Sequence, residues 1–241
     1  MIYVGIDDTD MPGTPGTNQF CRALVKRLAT DFDCRLIVRH QLLFDRRIPY
    51  TSKNSCASLQ LLPNDRVAAE GSDVHTLDTL KDEIRAFMVG RYLPGSDPGF
   101  CVASRVPREI AEFAKRCKQQ VVTQEEARQL AQAHGVHLEG CGGTEDGVIG
   151  SLAAVGLAST GDDGRVVQIG AWPDDLSGNQ PISALRSRDV IVLGQQHNDS
   201  IADGTINVGK HLRPNYRDDR IVLYVTRDDV ASAIWQAVRL A

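Results

Sequence analysis

The hydrophobic residues at the start of the chain form short continuous runs and stripes at helical spacing. A run at residues 2–6 ends in Gly-Ile-Asp-Asp, and a loop rich in Gly, Pro and Thr then precedes residues 18–32, whose apolar positions recur at helical spacing. Apolar runs at 34–43 and 57–62 predict two more strands, separated by a basic and polar turn. This order of strand, helix and two strands predicts one mixed sheet.

The middle of the chain is dominated by helical spacing. Residues 74–89 predict an amphipathic helix, and 100–104 predict a short strand after a turn rich in Gly, Pro and Asp. Two further helices are predicted, one opening with a proline and running over 108–118, the other opening with a Thr/Glu capping box and running over 123–135. Within 140–160, a glycine-rich loop opens a helix of small residues that must pack closely against its neighbours.

The pattern changes after residue 160. Residues 228–240 predict an amphipathic helix, and three apolar runs before it predict strands at 166–171, 190–193 and 221–225. We therefore expect an α/β (α+β) protein with a first domain of residues 1–160 and a second of residues 161–241.

Composition and charge narrow the class of protein. No apolar run approaches the roughly 18 to 20 residues that cross a bilayer, and the amino-terminal residues become acidic too early for a signal peptide, so we expect a cytoplasmic protein. The six cysteines include no CxxC pair and no short Cys/His cluster, which predicts reduced, mostly buried thiols without a zinc ribbon. A formal charge of −4 gives no overall electrostatic signature of nucleic-acid binding.

Three carboxylates, Asp7, Asp8 and Asp10, directly follow the first predicted strand. Ligand-binding groups of open α/β sheets lie at the carboxyl ends of strands, and carboxylate oxygens suit Mg²⁺. The alternative is that these aspartates only cap turns. Because neighbouring carboxylates repel one another unless a cation or several donors compensate, we predict that the three form a Mg²⁺ site, in which not all need touch the ion, with Thr9 among the nucleotide contacts.

The loop after the acidic motif has the composition of an anion-binding turn. Gly13 and Gly16 permit tight backbone turns, and the hydroxyls of Thr14 and Thr17 can bind phosphate or cap the helix that starts near Asn18. A plain N-cap role for Thr17 is the alternative. The loop lacks the Gly-Lys-Ser/Thr ending of a Walker A motif.

The turn before the third predicted strand carries cations and donors. We predict that Lys53 contacts phosphate, with Thr51 and Asn54 beside it and with Arg46 and Arg47 earlier in the same turn. The alternative is a basic hairpin turn that only keeps the surface soluble.

Glycines bracket the start of the small-residue helix, which permits either an anion-binding nest or close packing. Glu145 and Asp146 lie at the helix start, where their charges would repel phosphate. The glycines are Gly140, Gly142, Gly143, Gly147 and Gly150, of which Gly142, Gly143 and Gly147 are predicted nucleotide contacts.

Four segments in order resemble the archaeal agmatidine synthetase family: GIDDTD at 5–10, RIPYTSKNSCASLQL at 47–61, DPGFCVA at 97–103 and GGTEDGVIGSLAAVG at 142–156. RDDRIVLYVT, which ends at residue 226, resembles a late strand of the same family. Members of that family use ATP and agmatine to modify a cytidine in the anticodon of an isoleucine tRNA. The resemblance implies an ATP-using kinase-like domain followed by a ferredoxin-like domain, without the family's OB-fold and zinc ribbon.

The resemblance also implies roles for individual residues. Asp7, Asp8 and Asp10 match the family's metal and phosphate motif, and Thr17 falls where the family carries a threonine that becomes phosphorylated. Lys53 and Asn54 match the polar turn, and Gly142, Gly143, Gly147 and Gly150 match the glycine-rich helix start. The chain departs from the family at Asn18, where a second threonine is usual, and at the acidic pair Glu145 and Asp146.

These features predict an ATP- and Mg²⁺-dependent phosphotransferase or ligase-like enzyme that acts on a small molecule or nucleotide, with Asp7, Thr17 and Lys53 as catalytic residues. One alternative is an RNA (tRNA) modification component that borrows RNA binding from a partner. Another is a nucleotide-binding regulatory protein without turnover. The sequence leaves open the acceptor, the phosphorylation of Thr17 and the formation of a homo-oligomer.

Overall fold

A computed structural model describes residues 1–50, 53–70, 73–227 and 233–240 of the chain. The strands are β1 (Ile2–Asp7), β2 (Phe32–Gln41), β3 (Ser55–Pro63), β4 (Gly99–Ala103), β5 (His137–Gly140), β6 (Arg165–Ile169), β7 (Asn179–Pro181), β8 (Val190–Gly194), β9 (Thr205–Asn207), β10 (Asn215–Arg217), β11 (Arg220–Thr226) and β12 (Ile234–Ala237). The helices are α1 (Thr17–Leu28), α2 (Asp65–Glu70), α3 (Asp73–Val89), α4 (Arg108–Arg116), α5 (Gln124–Ala133), α6 (Gly147–Ser159) and α7 (Ile182–Arg186).

The strands form one mixed sheet in the order β5-β4-β1-β3-β2-β6-β10-β11-β12-β9-β7, with β8 paired to β11. The pairs β8–β11 and β9–β12 are parallel, and the other pairs are antiparallel. This mixed sheet with helices confirms the predicted α/β (α+β) class.

Helices cover both faces of the first half of the sheet. The helices α1 and α3 pack with the apolar residues of β1 and β3 that include Ile6 and Leu59, and α4, α5 and α6 pack on the other face. Helix α6 is apolar on all sides, so its residues are almost all buried. Its close approach depends on Gly5 of β1, because a Cβ atom there would overlap with the backbone carbonyl of Ser151.

The second half of the chain continues the same sheet. Strand β6 pairs with β2, and a second core joins Leu36 and Val38 of β2 to residues of β6, β8, β10 and β11. A polar network around the buried His40 of β2 ties the loop before β6 to the first half of the sheet. His40 Nδ1 lies 2.9 Å from Asp163 Oδ1, and His40 Nε2 lies 2.8 Å from Ser58 Oγ. Lys118 also forms an ion pair with Asp163. The predicted domain boundary near residue 160 falls between α6 and β6, where the sheet is continuous.

Strands are present at the predicted positions 2–6, 34–43, 57–62, 100–104, 166–171, 190–193 and 221–225, and helices at the predicted 74–89, 108–118 and 123–135. The helix predicted to follow a glycine-rich loop within 140–160 is α6. Helix α1 ends at Leu28 rather than near residue 32, because Phe32 already pairs with β3. The predicted helix at 228–240 is wrong for residues 234–237, which form β12 because β9 and β11 flank them. Residues 228–232 lie outside the described part of the chain.

Two further expectations concern the cysteines and the membrane. All six cysteines are free thiols, and four of them are buried, which agrees with the prediction. Among the described helices, none combines the length and the apolar character needed to cross a membrane.

Candidate functional site

The acidic motif lies where β1 meets the first turn of α6. Asp7 is the last residue of β1, and Asp8 leaves the strand with φ 53°, a left-handed conformation that is uncommon for a residue with a side chain. Gly150 of α6 lies against Asp7 so closely that a Cβ atom there would overlap with the Asp7 carboxylate. The absence of a side chain at Gly150 therefore makes the room in which the carboxylate lies.

The surroundings of Asp7 and Asp8 favour their protonated forms. Burial raises the pKa of Asp7 well above its usual range, and the charges of Asp8 and Asp10 raise it further. Burial also raises the pKa of Asp8 to about 6, with further contributions from Asp97 and Asp10, although the backbone N–H of Asp97 donates to its carboxylate. Two carboxylates with raised pKa values provide a place where a cation would be stabilised.

Within the described ranges, no three His, Cys, Asp or Glu side chains lie close enough together to hold a metal ion. The three aspartates of the motif therefore do not form a closed ligand set by themselves. Magnesium usually takes one or two protein carboxylates and completes its shell with water and nucleotide phosphates. The chemistry of Asp7 and Asp8 fits such a shared ion.

Thr17 links the start of α1 to the acidic motif. Its Oγ1 donates to Asp10 Oδ1 at 3.1 Å and lies 3.3 Å from the hydroxyl of Thr9, which donates to it. Gly16 occupies the N-cap position, so Thr17 is the first residue of the helix and not its N-cap. The Thr17 hydroxyl thus bonds to a carboxylate of the motif instead of to its own helix.

Thr14 has a local structural role. Its Oγ1 accepts from the backbone N–H of Met11 and donates to the Met11 carbonyl, both at 2.8 Å, and this closes the turn that contains Gly13. The φ of 86° at Gly13 requires a glycine there. The loop therefore connects Asp10 to the first turn of α1 through a closed turn.

The basic turn between β2 and β3 is held by amide side chains. Asn54 Nδ2 donates to the carbonyl of Leu43 at 2.7 Å, and Gln41 Nε2 donates to the carbonyl of Asn54 at 2.5 Å. Arg47 forms a two-bond ion pair with Asp45, which holds the pKa of Asp45 below its usual value. Lys53 is exposed beside this turn, and the predicted contact Thr51 lies outside the described residues.

A cavity of about 260 Å³ joins these elements. The three aspartates, the cationic residues Arg47 and Lys53, and the first turn of α6 all line it. Aliphatic and aromatic side chains complete the lining: Leu42, Ile48, Pro49, Tyr50, Val121 and Val122. A space with acidic, cationic and apolar walls has the mixed character that a nucleotide with its metal requires.

The cavity brings together seven of the predicted site residues: Asp7, Asp8, Asp10, Thr17, Lys53, Asn54 and Gly147, with Gly150 beside them. The other described ones are not among its lining residues: Thr9, Thr14, Gly16, Asn18, Gly142 and Gly143. Thr9 is buried and reaches the site through its hydrogen bond to Thr17.

Gly142 and Gly143 shape a neighbouring turn. A Cβ atom on Gly142 would overlap with the ring of Tyr92, and Gly143 has φ 59° beside the carboxylate of Asp97. Asp97 organises this turn, because its Oδ1 accepts from the N–H of Thr144 at 2.5 Å and its carbonyl accepts from the N–H of Gly147 at 2.8 Å. In this arrangement both glycines serve close packing.

Sequence reasoning missed several residues of the site. Asp97 raises the pKa of Asp8 and holds the start of α6, and its only sequence signal is its place in the DPGFCVA segment. The segment 120–124 forms one wall of the cavity, and Gln124 Nε2 donates to Asp146 Oδ1 at 3.0 Å. Tyr50 lies at the cavity and stacks edge-on against Phe44, with 5.5 Å between the ring centroids.

Comparison with solved structures identifies the fold. A tRNA fluorescent labeling enzyme matches with TM-score 0.52 and 21% identity, over 64% of this chain and 35% of that chain. A TiaS–tRNA(Ile2)–ATP complex matches with TM-score 0.53 and 22% identity, over 64% of this chain and 36% of that chain. This chain shares the fold of part of TiaS. The predicted resemblance to the agmatidine synthetases is thereby confirmed at the level of fold.

A TiaS–tRNA(Ile2)–AMPCPP–agmatine complex also matches, with TM-score 0.52 and 19% identity, over 64% of this chain and 35% of the chain in that complex. The chain thus spans about a third of the length of these TiaS structures. No protein-family model matches the chain, and no curated protein matches it at a significant level.

Proposed function

We propose that this chain is a cytosolic, ATP-dependent enzyme of RNA modification whose nucleotide binds in the cavity at the end of β1. The observation that carries the proposal is the convergence of Asp7, Thr17 and Lys53 on one cavity from separate parts of the sequence. The choice of RNA as acceptor is supported by the shared fold, because the matched TiaS structures contain tRNA(Ile2) with ATP or AMPCPP.

The cavity suits ATP in two respects. The apolar side chains around Ile48, Pro49 and Val122 can take the adenine, as apolar walls do in most ligand pockets. The ammonium of Lys53 and the amides at the start of α1 can take the phosphates, because a helix amino terminus attracts anions.

Asp7 and Asp8 would hold Mg²⁺ shared with the phosphates. When bound, the ion neutralises phosphate charge and orients the transferred group. Lys53 stabilises the charge on the transferred phosphoryl group, and Thr17 holds Asp10 in place through its hydroxyl.

A small-molecule acceptor is the second candidate. The formal charge of −4 favours it, because a protein that grips RNA without a partner usually carries a basic surface. In that case the chain is a phosphotransferase or ligase-like enzyme in which the same residues hold ATP and Mg²⁺. The non-catalytic alternative, a nucleotide-binding regulator, requires ATP binding without turnover.

Calorimetry of Mg²⁺-ATP binding tests the first step. We expect Asp7→Asn to abolish measurable binding, while Asp33→Asn, which removes an exposed carboxylate from the same sheet, leaves the affinity unchanged. Unchanged affinity in the Asp7 variant would remove the nucleotide assignment.

Release of labelled phosphate or pyrophosphate from ATP tests the second step. We expect turnover to rise above background with total tRNA as acceptor. Turnover that rises only with small acceptors would favour the second candidate, and background turnover with tight ATP binding would favour a regulatory protein.

A further inference from the structure

Arginines from adjacent strands lie side by side on one face of the sheet. Arg39 of β2 is directly opposite Arg165 of β6, which is directly opposite Asn215 of β10. Directly opposed residues of antiparallel strands point to the same face, with Cβ atoms about 4.5–5.5 Å apart. Arg239 adjoins them, because the carbonyl of its neighbour Leu240 accepts from Arg165 Nε at 3.1 Å. Arg39, Arg165 and Arg239 are called the arginine row below.

The charges of the arginine row are not compensated by carboxylates of the described chain. Arg39 Nη2 donates to the neutral Gln41 Oε1 at 2.9 Å, and Arg165 Nε donates to a backbone carbonyl. Burial lowers the pKa of Arg39, and the charge of Arg165 lowers it further; burial and the charge of Arg239 do the same for Arg165. Like charges placed directly opposite one another destabilise a sheet.

Two exposed arginines elsewhere in the chain each have a carboxylate partner. Arg27 pairs with Glu83, and Arg108 pairs with Glu112, so each of these charges is neutralised locally. Asn215, at the end of the same cross-strand line as Arg165, is 1% exposed, and neither of its side-chain polar atoms has a hydrogen-bond partner within the described ranges. The line therefore combines uncompensated positive charge with an unsatisfied polar side chain.

The arginine row leads to the cavity through hydrogen bonds. The Gln41 side chain that accepts from Arg39 also donates to the carbonyl of Asn54, and Lys53 precedes Asn54 at the cavity. Two hydrogen bonds, through Gln41 and Asn54, thus connect Arg39 to the turn that carries Lys53. In the pairing register, Arg39 lies opposite Ala57 and Ala57 lies opposite Ile6, so the arginine row is on the face of Ile6, and the side chain of Asp7 points to the other face. The row therefore meets the cavity at the strand ends, through Gln41 and Asn54.

We infer that the arginine row binds successive phosphate groups of a single-stranded RNA whose acceptor nucleotide enters the cavity. This inference rests on the proposed function. A guanidinium binds phosphate oxygens with two parallel hydrogen bonds, and its planar fork is more weakly hydrated than an ammonium. Two guanidiniums on adjacent strands with a third, exposed one at Arg239 nearby suit the repeating phosphates of a polymer better than one small anion.

A salt titration of RNA binding tests the inference. A fluorescent single-stranded oligoribonucleotide is titrated with the wild-type chain, with R39Q/R165Q and with the control R27Q/R108Q, which removes the same charge from two paired arginines. We expect R39Q/R165Q to bind about tenfold more weakly or worse, and its slope of log affinity against log salt to be smaller by about 1.4, since each phosphate contact on a single strand gives about 0.7. The control should retain the wild-type slope.

Three results would overturn the arginine row as an RNA site: equal slopes for R39Q/R165Q and the control, no RNA binding by wild type at low salt, or equal binding of wild type to RNA and to vesicles of anionic phospholipid. Mg²⁺-ATP affinity, measured in the same variants, separates this failure from failure of the proposed function. We expect the Mg²⁺-ATP affinity to be the same in wild type and in both variants. A wild-type chain that does not bind ATP would instead refute the nucleotide site.

Thermal unfolding supplies a readout that does not depend on the affinity assay. The oligoribonucleotide should raise the Tm of wild type and of the control more than that of R39Q/R165Q, because only the first two keep the row. Without RNA, the Tm of R39Q/R165Q should equal or exceed that of wild type, because the repulsion between opposed guanidiniums is gone. Inorganic phosphate at the same phosphate concentration should give a smaller shift, and an equal shift would point to a free anion and overturn the RNA assignment.

Discussion

The carboxylate of Asp7 lies directly against the backbone of Gly150, where no side chain could fit between β1 and α6. This contact explains why the glycine-rich helix start and the acidic strand end belong to one site. The same contact keeps Asp7 away from solvent, and this burial disfavours the ionised carboxylate and raises its pKa.

Gly150→Ala should therefore displace Asp7. We expect a loss of Mg²⁺-ATP affinity of at least tenfold, together with a loss of about 1–3 kcal/mol in the free energy of unfolding from overpacking. Gly156→Ala is the matched control, because a Cβ atom there would meet Ala114 and Ile110 of α4 instead of the site. It should destabilise the fold without changing ATP affinity. Equal ATP affinities of the two folded variants would contradict the role of Gly150.

Lys53 should contribute to phosphate binding through its position at the cavity. We expect Lys53→Gln to lower ATP affinity by about tenfold, which corresponds to roughly 1.4 kcal/mol. Arg46→Gln removes an equal charge from the same turn at an exposed position away from the cavity lining, and should leave the affinity unchanged. Calorimetry with ATP and with adenosine separates phosphate binding from nucleoside binding. The Lys53→Gln substitution should lower the affinity for ATP and leave the affinity for adenosine unchanged.

The hydroxyl of Thr17 should be needed for ATP turnover and for stability, because it donates to Asp10. Thr17→Val keeps the volume but loses the hydrogen bond to Asp10, so we expect slower ATP turnover and a stability loss of about 1 kcal/mol. Thr17→Ser retains the hydroxyl and should keep most of both. Turnover of the valine variant at the wild-type rate would show that the hydroxyl is dispensable.

The stability of the chain should depend on pH through Asp8. The folded chain keeps a proton on Asp8 up to a pKa of about 6, whereas the unfolded chain releases it near the ordinary value of 3.8. The contribution of Asp8 to the free energy of unfolding therefore falls as pH rises from about 4 to 6. Asp8→Asn should remove this fall. The slope should stay below the ~1.4 kcal/mol per pH unit of a full proton, because Asp8 is partly exposed.

Urea unfolding of wild type and the Asp8 variant between pH 4 and 7 measures this difference. Mg²⁺-ATP should stabilise wild type more at pH 7 than at pH 5, because the ionised carboxylates bind the cation. The same free energy difference between the two proteins at every pH would contradict the raised pKa of Asp8.

The elements that the sequence predicts well are those whose burial follows a simple period. Strand β1 and helix α4 have regular apolar patterns, and their positions follow from them. The prediction of a carboxyl-terminal helix is wrong because Ile234 and Trp235 pair with β9 as a strand. The local sequence cannot show this pairing, since β9 lies in a distant part of the chain. Short strands such as β7 and β10 have three residues each, too few to show a period.

The residues of the site also divide into those that the local sequence predicts and those that it does not. Asp7 and Lys53 could be chosen from local motifs, because a strand end and a basic turn are visible in the sequence. Asp97 and the wall at 120–124 could not, because Asp97 comes near Asp8, and the wall comes to the cavity, only through the folding of β4 and α5 against α6. The arginine row was equally hidden, because its members are far apart in the chain and meet only through strand register.

The pairing of β6 with β2 has a consequence for any attempt to separate the two halves. A fragment that stops near residue 160 would leave one side of β2, a strand of ten residues, without its hydrogen-bonding neighbour and would uncover Leu36 and Val38. Such an open edge is a template for self-association. The amino-terminal half should then precipitate or form oligomers through β2, because the second half is what covers that strand edge.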